Sequence, residues 1–309
     1  MHIDIDLSDI LAKVKVLEFS TVTKSGGMNT RPMSGTWLPE RQRIVLTTPA
    51  AYPQKALNVR RDGRVAVLYS DFTGSGLPPA RAVLVQGIAD APDVVAAPQD
   101  LPDYWRGLFR KNPNLAAEVA DPQHRATMDW YYWRLPILVE PQRIDVLQPT
   151  AAGGAWEPTV PDGTPMWVQL TDALTRYPSA VFTAQDEEGY PYSARAYVSQ
   201  PNTAPSLHVH TEQPFRGVRG PANLLWHRHD GHSGEMAALL VAGIATGEGQ
   251  DWTFTPERMP GLLPSGRHEP ASFEEWIEDG RRRSAAYMEK SGIAAPTIDW
   301  AELASFGHQ

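Results

Sequence analysis

The chain has 309 residues, a formal net charge of −8 and 21% charged residues, a composition typical of a soluble globular protein of about two domains. It has no cysteine, which excludes disulfides, thiolate metal sites and cysteine nucleophiles. The negative charge and the lack of a long Lys/Arg block argue against nucleic acid as a partner. No uninterrupted apolar stretch reaches signal or membrane-spanning length, so we expect a cytoplasmic protein without membrane contact.

The first half of the chain predicts a helix followed by an antiparallel sheet. Apolar residues at helical spacing follow Ser8, and the β-rich "FSTVT" ends in a Gly-Gly turn. "TRPMSGTWL" and "QRIVLTT" predict a hairpin, and "YPQKALNVRRDG" predicts a short basic helix. The strands "RVAVLYS", "ARAVLVQGIAD" and "RLPILVEPQRIDVL" follow, with a helical stretch over about 103–128 before the last. Residues 148–165, rich in Pro, Gly and Thr, predict a linker.

The second half repeats the order of the first. "AVLVQGIAD" and "ALLVAGIAT" place Gly87 and Gly243 at equivalent positions 156 residues apart, and Arg195 follows Arg31 by 164. Offsets between other matching segments fall in order between these values, which indicates a diverged duplication. The helical insertion is missing from the second half, and "SFEEWIEDGRRRSAAYMEKSG" is appended to it. We therefore expect two domains, 1–150 and 151–309.

Basic and hydroxyl side chains gather around the predicted hairpin and short helix. Thr47 and Thr48 end the hairpin, and Lys55 lies in the helix that follows, so hydroxyls, backbone N–H groups and cations can meet at one point, as they do around a bound phosphate. A solvated basic helix face would have the same spacing. Arg31 lies within an otherwise apolar strand, where an arginine either pairs with an acid or faces a ligand.

The order of these motifs resembles a known family. "TRPMSG", "RIVLTT", the Lys-x-x-Asn-x-Arg-Arg helix, "RVAVL" and a strand ending in "xG" are together similar to the pyridoxamine 5′-phosphate oxidase-like superfamily. These proteins are flavin-binding split β-barrels, and they include deazaflavin-dependent reductases. The resemblance covers about 20–147 well and 180–260 weakly.

The resemblance implies a fold and a cofactor. We expect a mainly β protein with peripheral helices, in which two tandem six-stranded split barrels form an intramolecular pseudo-dimer. FMN would lie in a groove shared by the barrels, with the deazaflavin coenzyme F-420 as the alternative and haem as a more distant one. The activity implied is hydride transfer between the flavin and a small organic substrate, and the sequence identifies no catalytic residue.

The resemblance also implies cofactor-binding residues. They are Arg31, Pro32, Met33, Ser34, Thr47, Thr48, Lys55, Asn58, Arg81 and Arg195. The oxidase proper has an Arg-Gln pair at the start of the fifth strand, where this chain has Arg81 and Ala82. This departure argues against oxidation of pyridoxine phosphate itself.

The second copy departs further from the family pattern. It has no lysine equivalent to Lys55, and Pro221 would end any helix in "EQPFRGVRGP". We therefore expect at most one well-formed cofactor site, in a monomeric pseudo-dimer or a homodimer of it. The alternative is that both sites are inactive and the duplication persists for stability alone.

The histidines of the second half leave a further alternative open. His208 alternates with His210, and His227 with His229, so each pair shares a strand face, and His232 follows. Metal or haem ligation competes with a polar role, and we predict no metal site. A non-enzymatic flavin- or haem-binding protein is thus the alternative function.

An aromatic region follows the fifth strand. Its members are Trp105, Trp130, Tyr131, Tyr132 and Trp133. They either form the wall of a planar-ligand site or are buried between the two barrels.

Overall fold

The computed structural model describes residues 5–78, 81–154, 160, 161, 163–201, 205–231, 236–261 and 272–308. The elements of the first half are α1 (Ile5–Lys13), β1 (Leu17–Val22), β2 (Met28–Met33), β3 (Gly35–Leu38), β4 (Arg43–Pro49), α2 (Gln54–Arg61), β5 (Arg64–Tyr69), β6 (Ala82–Asp90), α3 (Pro102–Lys111), α4 (Asn114–Ala120), α5 (Pro122–Tyr132) and β7 (Arg134–Leu147). Those of the second half are α6 (Met166–Arg176), β8 (Ala180–Gln185), β9 (Pro191–Ser199), β10 (Leu207–Thr211), β11 (Gly220–His229), β12 (Met236–Glu248), β13 (Asp251–Arg258), α7 (Phe273–Ser291) and α8 (Trp300–Ser305).

Two antiparallel sheets account for these strands. The first has the order β2-β1-β5-β6-β7-β4-β3, and the second is a closed barrel of order β10-β13-β12-β11-β8-β9. In the first sheet β2 and β3 are consecutive and separated only by Ser34, so the chain itself joins the two edges. The predicted mainly β fold of two tandem barrels is confirmed. The strand predicted from "TRPMSGTWL" is interrupted at Ser34, whereas its counterpart β9 runs unbroken.

The repeated glycine occupies a β-bulge in each barrel. The register of β6 with β7 shifts between Gln86 and Gly87, and that of β12 with β13 shifts between Ala242 and Gly243. A Cβ at Gly87 would approach a carbonyl oxygen of β7 to 2.2 Å, and one at Gly243 would approach a carbonyl oxygen of β13 to 2.1 Å. Because a bulge brings the backbones this close, both copies need glycine there.

A ring of four buried hydroxyls joins the two barrels. The Ser20 hydroxyl lies 2.9 Å from that of Thr30 and 3.0 Å from that of Ser193. Thr183 closes the ring, with its hydroxyl 3.1 Å from that of Thr30 and 2.8 Å from that of Ser193. Each half supplies one hydroxyl from its first strand and one from its second, as a two-fold interface requires. The intramolecular pseudo-dimer is thus built around this ring.

The strand register corrects the expected match of Arg31 with Arg195. Thr30 pairs with Ser20 in the first barrel, and Ser193 pairs with Thr183 in the second. Thr30 and Ser193 are therefore equivalent, so the residue equivalent to Arg195 is the one after Arg31. Since successive residues of a strand point to opposite faces, this shift of one residue gives the two arginines different surroundings.

The inserted helices carry most of the aromatic residues singled out from the sequence, which are Trp105, Trp130, Tyr131 and Tyr132. The predicted helical stretch is divided into α3, α4 and α5, which pack against α7 and α8 of the C-terminal segment. The Trp130 and Trp276 rings lie 4.9 Å apart, and Gly280 of α7 packs directly on Trp130. Burial between the two barrels was therefore the wrong expectation for this region, because the C-terminal helices fold back over the insertion.

The C-terminal helix α7 packs on the first half of the chain, across the expected boundary between the two domains. Residue 150 lies between β7 and α6, but Met288 of α7 packs into the core of the first barrel. None of the helices in the described ranges is both long and apolar enough to cross a membrane.

Candidate cofactor site

A cavity of about 220 Å³ lies where the first barrel meets the inserted helices. It is lined by Lys15, Val16, Pro32, Met33, Ser34, Thr47, Thr48, Pro49, Lys55, Tyr104, Trp105, Leu108, Asn112, Leu115, Tyr131, Tyr132, Arg134 and Met236. Strand ends of the first barrel supply most polar members, and α3 and α5 supply the aromatic ones. Met236, at the start of β12, is a contribution from the second barrel.

Cationic side chains dominate one part of the lining. Lys55 is half-buried and makes no hydrogen bond or ion pair within the described part of the chain. Burial lowers the pKa of Lys55 to about 7, and the charges of Arg31 and Arg134 act in the same direction. Buried Arg134 donates from Nε to the Thr47 hydroxyl at 2.8 Å and from Nη1 to the Tyr131 carbonyl at 2.9 Å. No carboxylate is among the described lining residues, so an anion would complete this charge arrangement.

Three hydroxyls of the lining differ in what they can donate. The Thr48 hydroxyl donates to the Tyr52 carbonyl at 2.9 Å, so it can only accept a hydrogen bond from a ligand. Thr47 accepts from Arg134 and keeps its proton for another acceptor. Ser34, half-buried at the break between β2 and β3, makes no side-chain hydrogen bond within the described residues. Of these three hydroxyls, those of Ser34 and Thr47 can therefore donate to an anionic ligand.

Aromatic side chains form much of the rest of the wall, and two of the lining residues also have buried polar atoms without partners. Trp105 stacks on Tyr132 with ring centroids 5.2 Å apart and an interplanar angle of 27°. Trp105 is 2% exposed and Asn112 is 5% exposed. Trp105 Nε1 and Asn112 Oδ1 nevertheless have no hydrogen-bond partner among the described atoms. Such groups are costly to bury unless a ligand satisfies them.

The structure brings together most of the residues implied by the family resemblance. The predicted residues that line the cavity are Pro32, Met33, Ser34, Thr47, Thr48 and Lys55. Arg31 does not line it, but its charge acts on Lys55. Arg31 donates from Nη2 to the Pro260 carbonyl at 3.0 Å, and burial lowers its pKa.

Asn58 and Arg81 lie elsewhere. Asn58 is fully buried, where it donates to the Thr21 hydroxyl at 2.9 Å and accepts from Gln54 and Arg61. Its hydrogen bonds thus join α2 to β1. Arg81 is exposed immediately before β6 and does not line the cavity.

Arg195 belongs to a buried ion-pair cluster between the barrels. It donates to Glu18 Oε1 at 3.0 Å and to the Ser70 hydroxyl at 2.8 Å, and it lies 3.0 Å from His227 Nε2. Burial alone would raise the pKa of Glu18, but the hydrogen bond with His227 and the charges of His227 and Arg195 lower it below its ordinary value. Arg195 therefore neutralises a buried acid across the interface and is not among the residues that line the cavity.

Three further histidines of the second half, His208, His210 and His229, lie beside acids. His210 Nδ1 and His208 Nε2 lie 2.8 Å and 3.2 Å from one exposed oxygen of Asp251. His229 lies 3.4 Å from buried Asp71. Across the described ranges no group of three or more potential ligands is arranged to hold a metal ion, and His232 lies outside those ranges.

Several lining residues were missed from the sequence. Arg134 opens the buried strand β7, and an arginine beside an apolar strand is the same signal that singled out Arg31. Lys15 and Asn112 carry no comparable signal, because each follows a helix and only tertiary packing turns it towards the cavity.

The second barrel lacks the helix that carries Lys55. Residues 212–219, which replace α2, form no helix, and β11 begins at Gly220. Arg216 of this segment pairs with Asp145, and Arg219 pairs with Glu248. The cations that could replace Lys55 are therefore already neutralised.

Solved structures similar to this chain cover about half of it. A conserved hypothetical protein of Mycobacterium tuberculosis has 19% identity and a TM-score of 0.35 over 47% of this chain and 83% of its own. A candidate pyridoxamine 5′-phosphate oxidase of Lactobacillus delbrueckii has 13% identity and a TM-score of 0.30 over 47% and 93%. An F420 reductase has 17% identity and a TM-score of 0.29 over 45% and 94%. Each of these likenesses concerns the fold alone. No protein-family model and no curated protein matches the chain.

Proposed function

We propose that the chain is a flavin-dependent oxidoreductase that holds FMN in the cavity of the first barrel. The observation that carries the proposal is the Lys55 amine, unpaired among the described residues, in a cavity that Arg134, Thr47 and several aromatic rings also line. A ligand with an anionic group and a planar ring system would match both kinds of lining residue. Bound FMN would supply hydride transfer through N5 of its ring to or from a small organic substrate.

The side chains present fit the chemistry of this cofactor. Lys55 would pair with the terminal phosphate, and Ser34 and Thr47 would donate hydroxyl hydrogen bonds to it. Trp105 and Tyr132 would pack against the ring and keep water from it. The cavity is smaller than the roughly 300–1,000 Å³ of pockets that enclose a whole drug-sized ligand. Part of the FMN would therefore lie outside the enclosed volume, on the side of Met236.

The coenzyme F-420 is the alternative cofactor under the same proposal, because it shares the planar ring and an anionic tail. The geometry gives less support to haem, since no histidine is among the described residues that line the cavity. Both barrels of one chain contribute to the lining, so the proposal requires no second chain, and the protein would act as a monomeric pseudo-dimer.

Titration of the purified protein with FMN, F-420 and haem tests the proposal. We expect FMN to bind with a shift of its visible absorption and quenching of its fluorescence. Lys55→Ala should weaken binding roughly 10- to 100-fold, because a charge-assisted hydrogen bond to the phosphate is lost. Arg31→Ala should weaken it less, since Arg31 acts on the site through its charge. Lys24→Ala removes the same charge from an exposed turn and is the matched control.

Two results would contradict the proposal. One is the failure of FMN and F-420 to bind at concentrations far above those that saturate ordinary flavoproteins. The other is a Soret band on haem addition as the sole spectral change. Equal FMN affinity in wild type, Lys55→Ala and Arg31→Ala would instead place the cofactor outside this cavity.

A further inference from the structure

A buried lysine outside the cavity joins three segments of the chain. Lys111, at the C-terminal end of α3, is 8% exposed and does not line the cavity. Its Nζ donates to the Val14 carbonyl at 2.9 Å and to the Gly35 carbonyl at 2.8 Å. Val14 follows α1 directly, and Gly35 is the first residue of β3. One amine thus links the inserted helix to two separate segments of the first half of the chain.

Each of the three linked segments carries a cavity residue next to its contact with the amine. These neighbours in the sequence are Lys15, Ser34 and Asn112, and all three line the cavity. Because consecutive residues are joined by a rigid peptide unit, a shift at a contact point moves its neighbour as well. Lys111 can therefore affect the geometry of the wall without touching a ligand.

The surroundings of Lys111 favour hydrogen bonding over ion pairing. It forms no ion pair within the described part of the chain. Burial lowers the pKa of Lys111 to about 7, and the nearby charge of Arg110 acts in the same direction. The Val14 carbonyl lies at the C-terminal end of α1, whose partial negative charge favours a cation. An amine that loses its proton keeps two N–H groups, enough for both carbonyls. Lys111 can thus hold the two segments in either protonation state.

We propose that Lys111 is a positioning residue for the cofactor cavity. It holds the C-terminal end of α3 against the segments that carry Lys15 and Ser34, so that the Ser34 hydroxyl stays where the phosphate of FMN can accept from it. This inference rests on the proposed function and goes beyond it, because it assigns part of the FMN affinity to a residue that does not contact FMN. The second barrel has no counterpart of Lys111, since two residues alone separate β12 from β13.

The substitution Lys111→Met keeps the length of the side chain and removes both hydrogen bonds. We expect this variant to fold, because α3 also packs on β3 through other contacts. Thr36 donates to the Tyr104 carbonyl at 3.2 Å, and Gly107 lies directly against Thr36. The change is then confined to the C-terminal end of the helix, beside the cavity.

Titration with FMN, followed by quenching of its fluorescence, tests the proposal. Lys111→Met should bind FMN roughly 10-fold more weakly than the wild type. Lys111→Gln, whose shorter side chain can donate to one of the two carbonyls, should bind it about 3-fold more weakly and provides the same test where Lys111→Met folds poorly. Arg110→Met removes a positive charge from the exposed neighbouring position and should not change the affinity.

A variant destabilised elsewhere separates positioning from general stability. Gly243→Ala strains the β-bulge of the second barrel and leaves the contacts of Lys111 in place. Its FMN affinity should equal that of the wild type even where its melting temperature is as low as that of Lys111→Met. If affinity instead follows melting temperature in both variants, Lys111 only stabilises the fold and the proposal is overturned.

The two proposals fail in different ways. If the wild type binds FMN and both Lys111→Met and Lys111→Gln bind it equally well, the positioning role is overturned and the flavin site stands. If the wild type binds neither FMN nor F-420, the proposed function and this inference fall together.

Discussion

The two barrels share a strand order but use their arginines and lysines differently. In the second barrel Arg195 neutralises Glu18, and Arg216 and Arg219 pair with acids nearer the surface. In the first barrel Lys55 makes no such pair within the described part of the chain. In the same part of the chain the Arg31 side chain hydrogen-bonds only to a backbone carbonyl. The same scaffold thus stabilises the interface through one copy and leaves unneutralised positive charge at a cavity in the other.

This difference shows how a duplicated barrel can divide its tasks. A buried cation without an acid opposes folding, so it persists where something else compensates for it. The interface cluster offers that compensation from within the chain, across the barrels. No acid among the described lining residues compensates the cations of the cavity, which is why we place the ligand there.

Replacing Arg195 and Arg31 in turn should give the largest difference in the free energy of unfolding between the two barrels. Arg195→Met leaves Glu18 buried with one fewer countercharge, and we expect it to lower the free energy of unfolding by about 3–5 kcal/mol. Arg31→Met removes a half-buried cation that has no acid partner among the described residues, so it should change that free energy by less than about 1 kcal/mol. Urea denaturation followed by tryptophan fluorescence measures both. Equal losses in the two variants would contradict the division of roles.

Unfolding at acidic pH is the control for the stability loss expected of Arg195→Met. The folded pKa of Glu18 is below its ordinary value of 4.5, so its contribution is complete above that pH and is lost as the pH falls further. Asp71, whose pKa is also lowered despite burial, by its hydrogen bond with His229 and the charge of that residue, acts in the same direction. The stability gap between wild type and Arg195→Met should therefore narrow below about pH 4.5. A gap that persists there would mean that lost packing, and not the ion pair, accounts for it.

The paired glycines test what the barrels share. Gly87→Ala and Gly243→Ala each force a Cβ onto a backbone carbonyl, and we expect each to destabilise the protein by about 1–3 kcal/mol. Gly27→Ala is the control, because its Cβ would meet side-chain atoms no closer than 3.5 Å. Differential scanning calorimetry should show similar losses for the two bulge variants. A large loss at one site alone would show that the bulges are not equivalent.

The pH dependence of ligand binding tests what is particular to the first barrel. Since the pKa of Lys55 is lowered to about 7, the side chain loses its charge as the pH rises through that value. FMN affinity should fall roughly tenfold between about pH 6.5 and 8.5 in the wild type and stay level in Lys55→Met. Isothermal titration calorimetry at several pH values measures this. A parallel decline in both proteins would assign the dependence to another group.

Thermal unfolding of the same variant without ligand is the control for that titration. A lysine whose folded pKa is below its unfolded value opposes folding fully below about pH 7, and the opposition fades as the pH rises towards 10.5. Lys55→Met should therefore unfold at a higher temperature than the wild type at about pH 6, with a smaller difference at about pH 10.

The succession of strands along the chain could be predicted because strands and turns have local signals. The bulge glycines and the Pro/Gly-rich segment before α6 are visible in the sequence without any partner. The path of α7 could not be predicted in this way, because its amphipathic pattern shows that one face is buried but not which half of the chain covers it.

The same distinction applies to the site residues: those placed by local structure could be predicted, and those placed by packing could not. Thr47, Thr48 and Lys55 come from contiguous segments of one hairpin and helix, so their proximity follows from local structure. Asn58 lies three residues beyond Lys55 in α2 and points into the core, and Arg195 is displaced by one residue from the expected register. Helix rotation and strand register are set by packing, which the spacing of motifs does not reveal.

The smallest expected effect concerns the hydroxyl ring, where the two copies differ by one residue. Asn223 donates to the Thr30 hydroxyl at 3.1 Å, and the equivalent position in the first barrel is Ala66. Ser20→Ala and Thr183→Val should each cost about 0.5–1.5 kcal/mol in the free energy of unfolding, because every remaining hydroxyl keeps one partner.

Combining these two substitutions removes both hydroxyls that contact Ser193 in the ring, whereas Thr30 retains Asn223. The double variant should therefore lose about 1 kcal/mol more than the sum of the single losses, because the Ser193 hydroxyl is left buried without a partner. Adding Ser193→Ala distinguishes this account from general loosening of the interface. The triple variant should regain about 1 kcal/mol, since it no longer buries an unsatisfied hydroxyl, whereas a loosened interface would lose stability again. Additive losses in the double-mutant cycle would show that the four hydroxyls act as independent pairs.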